Sequence, residues 1–204
     1  MFTYAPTRWV PCLLLIWAGV AVTQAADPGA NDAHDRLVQR TYNALGMDQE
    51  FVSARHEYLR FMKERSKSSG QDTIISHVGH RLITSDYRAR ICSFLASTFA
   101  DDELSVLALY FESRGGQEML RFERQSRALR NRPGNDVDAE ARRFAEAQPQ
   151  ENQSAFRSFY DSPVGRRFRS KHQDLVGFVL NLVGQLGDEI LAKMAAESTS
   201  HSSP

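Results

Sequence analysis

Apolar residues recur every three to four positions along most of this chain, which is the period of an α-helix. Leu37, Val38, Tyr42 and Leu45 share one face of a first predicted helix over about 32–45, and Gly46 stands where a helix stop belongs. Phe51, Ala54, Tyr58, Leu59 and Met62 mark a second, longer helix, with Asp48 placed to cap its start. "SKSSGQD" at 66–72 reads as a turn, and beyond it Ile74, Ile75, Val78 and Leu82 mark a third helix, re-initiated at Ser85 and Asp86 toward Phe99. Leu104, Leu107 and Phe111 then form the stripe of a short helix at 100–113, followed without a loop by another over about 115–130. "RNRPGND" at 130–136 is the strongest turn signal, and a short charged helix, "DAEARRFAEA", ends before Pro149. "NQSAFRSFYDS" feeds directly into a long helix from Pro163 to about Ala196, with Val164, Phe168, Leu175, Val179, Leu182, Leu186, Ile190 and Met194 facing inward. No stretch alternates apolar with polar residues between turn signals, so no sheet is predicted. The expected fold class is all-α: a single helical bundle of about six to eight helices built around two helical hairpins.

Two of these junctions repeat one another. "YFESRGGQEM" at 110–119 and "FYDSPVGRRF" at 159–168 align at an offset of 49, placing Tyr110, Phe111, Ser113 and Gly116 on Phe159, Tyr160, Ser162 and Gly165, with Leu107 on Phe156. Two copies are too few for a solenoid, so the repeat reads as paired hairpins inside one bundle. The chemistry of the second copy is that of a joint. Ser162 can accept an orphan N–H of the following turn, and Pro163 suits the first helical position because its missing N–H would have had no partner there. Proline also drives Ser162 out of the helical region and so ends the preceding helix. Gly165, inside the first turn, is explained if another backbone comes close.

"ADDELSVLALYFESRGGQ" and "FRSFYDSPVGRRF" resemble the signature of the bacterial exported domain of unknown function 2059 family (DUF2059), in which an acidic helix start leads into Phe-Tyr-x-Ser-Pro-x-Gly. The likeness covers roughly residues 90–190. It implies a small all-helical periplasmic fold and carries no catalytic residue to transfer. The chain departs from that pattern at Ala100, where the family has a capping Ser or Thr, and at Arg114, which replaces the proline of the first copy and predicts a looser first joint.

Composition adds a compartment. Residues 1–25 read as a secretory signal, with Arg8 before an apolar run from Leu13 to Val22 and small residues up to Ala25. That run is shorter than the roughly 18–20 apolar residues of a spanning helix. Export to the periplasm of a Gram-negative bacterium, or secretion, is therefore expected, with one α-helical domain at 26–196, a disordered tail at 197–204 and no transmembrane segment once the signal is gone. Without the leader 24 basic residues face 25 acidic ones, so no bulk field favours nucleic acid, and none is expected as a partner. Only Cys92 remains beyond the leader; it cannot close an intramolecular bridge, and its apolar neighbours mark it as a buried small hydrophobe.

Motifs for chemistry are few. "HEYLR" at 56–60 starts like a zinc-protease helix but has Arg60 where the second imidazole belongs. His77 and His80 share a helix with no third ligand in reach, so neither a metal nor a cofactor is expected. No nucleophile elbow or phosphate loop is present, and no catalytic residue is assigned. The one functional lead is arginine: 114–132 and 157–171 each carry a local excess of four positive charges. Arg166, Arg167 and Arg169, at a helix start, are candidates to hold a phosphate or carboxylate. The expected function is a non-catalytic binding or interaction module for an anionic envelope component. The alternatives are an enzyme whose site is assembled from scattered residues, and a structural homo-oligomer associating through Val179, Val183 and Leu186.

Overall fold

The computed structural model describes residues 28–66, 71–130, 139, 143–144 and 146–200. The expected leader, most of both predicted turns and half of the charged helix before Pro149 lie outside the described residues. Eight α-helices and no strand occur among them: α1 (Pro28–Ala44), α2 (Met47–Arg65), α3 (Gln71–Ile83), α4 (Tyr87–Thr98), α5 (Asp101–Glu112), α6 (Arg114–Arg130), α7 (Gln150–Asp161) and α8 (Pro163–Ser200). The all-α bundle is as the periodicity predicts.

α8 is the central element and packs against α2, α3, α4, α5 and α7. Its Phe168, Leu175, Val179, Leu182, Val183, Leu186 and Ile190 are buried together with Phe51, Leu82, Ile91, Leu95, Leu104, Leu107 and Phe111. Burying each such side chain contributes roughly 1.5–3 kcal/mol, the main force holding the bundle closed. By length and composition alone α8 could cross a membrane; here its apolar face is the core of a bundle. Val179, Val183 and Leu186 lie inside that core, which corrects their reading as an interface between copies.

α1 packs on α5 and α4. The buried Thr41 hydroxyl lies 2.9 Å from the Leu37 carbonyl and 3.0 Å from that of Leu104, its proton shared across the two helices. Gly46 ends α1 with φ of 64°, the left-handed conformation that glycine adopts without strain. α2 starts at once, at Met47, so Asp48 lies within its first turn and caps nothing. Its carboxylate instead accepts from the Tyr42 hydroxyl at 2.5 Å, the Tyr87 hydroxyl at 2.9 Å and the Arg88 guanidinium at 2.6 Å, tying α2 to α1 and α4. Cys92 is half-buried, not fully enclosed. α8 runs on to Ser200, past the expected end at Ala196, and Glu197 receives both arms of Arg81 at 3.0 and 3.3 Å.

Candidate functional site

The two predicted joints share one geometry. Ser113 (φ −71°, ψ 157°) and Ser162 (φ −70°, ψ 156°) are extended single residues between helices. The Ser162 hydroxyl donates to the Phe159 carbonyl at 2.6 Å and accepts from the Gly165 N–H at 3.0 Å. The Ser113 hydroxyl does the same with Tyr110 and Gly116 at 2.6 and 3.2 Å. A Cβ on Gly165 would stand 2.0 Å from the Phe159 carbonyl oxygen, and one on Gly116 would stand 2.2 Å from that of Tyr110. These are the close backbone approaches that the glycines predict. Arg114 in place of proline leaves the first joint no looser, because the serine and glycine set the bend.

The copies also meet each other. Tyr110 and Phe159, equivalent at the offset of 49, stack with ring centroids 3.7 Å apart and planes 4° from parallel. Glu123 and His172 stand at the same offset, and Glu123 Oε2 lies 3.2 Å from His172 Nε2. Matching positions in contact are what a local two-fold axis produces. Sequence reasoning missed Glu123 and His172; extending the offset past the joint would have paired them.

The three candidate arginines do not converge on a free site. Arg166 donates to the Asp161 carbonyl. Arg167 donates to the Thr98 carbonyl at 2.8 Å and pairs with Glu103 at 3.3 Å. Arg169 donates to the Tyr160 carbonyl at 3.2 Å and lies over the Tyr160 ring. Asp161, Tyr160 and Thr98 end α7 and α4, so these cations satisfy carbonyls at helix C-termini, where positive charge is favourable. The contacts of Arg166 and Arg169 brace the joint, and those of Arg167 tie α8 to α4 and α5.

Cationic groups without such partners gather elsewhere. A groove between α2 and α3 has a volume of about 730 Å³ and is lined by Arg55, His56, Arg60, Lys63 and His80, with Asp72 as its one carboxylate. Arg60 and Glu64, both well exposed, stand 3.6 Å apart; neither Arg55 nor Lys63 has a carboxylate partner among the described residues. The Arg55 Nε is buried without a hydrogen-bond partner. The floor is apolar, formed by Leu59, Ile75 and the largely exposed Ile83. Gly79 lets the helices close, since a Cβ there would stand 2.9 Å from a Leu59 methyl.

A second hollow, of about 510 Å³, is lined by Glu123, Tyr160, Arg169 and His172 over an apolar floor. Burial pushes the Tyr160 hydroxyl well above its ordinary range, and the nearby Glu123 carboxylate adds to this. Beside it Glu50, 8% exposed, receives Arg127 at 2.7 and 2.8 Å and Arg124 at 3.0 Å. Burial raises the Glu50 carboxyl, but the hydrogen bonds and charges of Arg127 and Arg124 outweigh it and hold the group below its usual value. His77 and His80 lie on an exposed helix face, and no cluster of three metal-ligating side chains occurs among the described residues. Comparison with family models, curated proteins and solved structures found no match.

Proposed function

We propose that this chain is an exported, DUF2059-like binding module of the bacterial periplasm that takes the phosphate-bearing headgroup of an acidic envelope lipid in the α2/α3 groove. The observation that carries this reading is that Arg55 and Lys63 line an open groove without protein counter-ions among the described residues, beside exposed apolar Ile83. Positive charge over an apolar floor matches a lipid phosphate joined to acyl chains. Of the other candidates, Arg167 is paired with Glu103, and Arg166 and Arg169 are engaged by main-chain carbonyls of α7.

The test is co-sedimentation with vesicles containing phosphatidylglycerol, compared with phosphatidylcholine alone. Binding is expected to the acidic vesicles only and to weaken with salt. At about 1 kcal/mol per basic residue near an anionic surface, the combined Arg55→Gln, Arg60→Gln and Lys63→Gln variant loses about 3 kcal/mol, roughly a hundredfold. Arg166→Gln leaves binding intact. Equal binding to both vesicle types, or retention by the triple variant, refutes the proposal.

An enzyme reading draws support from Glu123, His172 and Tyr160 lining one hollow. It is the weaker of the two, because Glu123 and His172 are already paired with each other at 3.2 Å.

A further inference from the structure

The α6/α8 hollow shares no residue with the α2/α3 groove, and we infer that it is a separate site for a small amphiphilic carboxylate of the medium-chain fatty acid class. Its polar end carries Arg169, whose neutral partner is the Tyr160 carbonyl, so its charge has no carboxylate counterpart among the described residues. Arg124 and Arg127 share the single carboxylate of Glu50, and the Arg127 Nε is buried without a partner. Glu123 turns one oxygen to His172. With Arg127 held by Glu50 and Glu123 turned to His172, Arg169 is the lining cation whose charge no carboxylate meets among the described residues. From there the floor is apolar: Phe168, Val176, Gly177 and Leu180, the last 44% exposed. Beyond Val176 and Leu180 the floor meets a smaller hollow in which Val179 and Ala54 are joined by the polar Ser53, Glu50, Glu57 and Arg127, so the apolar stretch ends there. A cationic end leading into an apolar trough is complementary to a carboxylate bearing an alkyl chain. The hollow's size falls within the roughly 300–1,000 Å³ of small-molecule sites.

Gly177 supplies the decisive variant. Nothing lies within 4 Å of a Cβ built there, so a larger side chain fits the folded protein while occupying the trough. The full-length exported chain is titrated calorimetrically with decanoate below its micellar concentration, alongside decyltrimethylammonium and decanol. Saturable one-to-one binding of decanoate is expected. Binding should weaken at least tenfold for Arg169→Gln, and for decanol relative to decanoate, and be lost in Gly177→Leu with its circular dichroism unchanged. Absent decanoate binding, equal binding of the cationic amphiphile, or full affinity in folded Gly177→Leu overturns the inference. The vesicle-binding triple variant retains decanoate binding, so the two sites fail separately.

Discussion

Replacing Gly165 by alanine inverts the usual effect of that substitution. In a helix interior Gly→Ala ordinarily stabilises by about 0.5–1 kcal/mol, because glycine has more backbone freedom to lose. At Gly165 the new Cβ would stand 2.0 Å from the Phe159 oxygen, 2.7 Å from its carbonyl carbon and 3.0 Å from the Tyr160 Cα. Those atoms cannot withdraw cheaply. The same carbonyl accepts the Ser162 N–H at 3.0 Å and its hydroxyl at 2.6 Å, and Phe159 is buried in the Tyr110 stack. Overpacking of this kind costs about 1–3 kcal/mol, and loosening the two hydrogen bonds adds about 1 kcal/mol. Set against the gain of about 0.5–1 kcal/mol for the helix interior, a net loss of about 1–3.5 kcal/mol follows. Gly184, in the same helix, has nothing within 4 Å of its Cβ, so Gly184→Ala gains about 0.5–1 kcal/mol. Urea unfolding followed by far-ultraviolet circular dichroism separates the pair, read as shifts in midpoint at constant slope. Gly116→Ala should track Gly165→Ala. If Gly165→Ala matched Gly184→Ala in sign, the close-approach explanation of the joint would fall.

Other outcomes follow from the same geometry. Glu50 has a lowered carboxyl pKa, so its contribution is fully present above the ordinary value of about 4.5 and is lost as pH falls through the folded value. Glu50→Gln should cost about 3–5 kcal/mol at pH 7 and flatten the acid limb of stability against pH, checked by urea titrations from pH 7 to 3. The Tyr110 hydroxyl is buried without a partner, and burial, aided by Glu123, pushes it up to about 12. Tyr110→Phe should therefore be neutral or stabilise by about 1 kcal/mol; a loss of that size in thermal denaturation would contradict the missing partner. Burial raises the Cys92 thiol above its ordinary value despite the opposing Arg88 charge. Alkylation by iodoacetamide at pH 8 should be markedly slower in the native chain than in urea, and equal rates would refute that environment.

Local signals in the chain specified the parts of the fold that depend on neighbours in sequence. The helix at 101–112 and the long helix from Pro163 to about Ala196 follow from apolar spacing, and the Ser162–Pro163 bend follows from backbone sterics alone, whereas the helical turn at 197–200, expected as disordered tail, does not. Partnerships across the fold were opaque. Asp48 has the chemistry of a cap, but Gly46 turns the chain so tightly that the carboxylate faces Tyr42 and Tyr87 instead. Arg167 has the chemistry of an anion ligand, yet the Thr98 carbonyl lies 69 residues away in sequence, and no local pattern announces it. Likewise Val179, Val183 and Leu186 look like surplus apolar surface until α2, α3, α4 and α5 close around them. The candidate groove was harder still to read. Its cations Arg55, Arg60 and Lys63 all lie on α2, and only the packing of α3 beside them makes the groove and reveals which of them lack counter-ions.

Contact between Glu123 and His172 carries a consequence for descent. Were the two hairpins identical, as a dimer of half-length chains would be, the position on their shared axis would face itself: acid against acid, or imidazole against imidazole. Neither self-pairing attracts when both members are charged alike. Joining the hairpins in one polypeptide removes that constraint, because each half can differ from the other, and a complementary pair can settle where exact symmetry would forbid it.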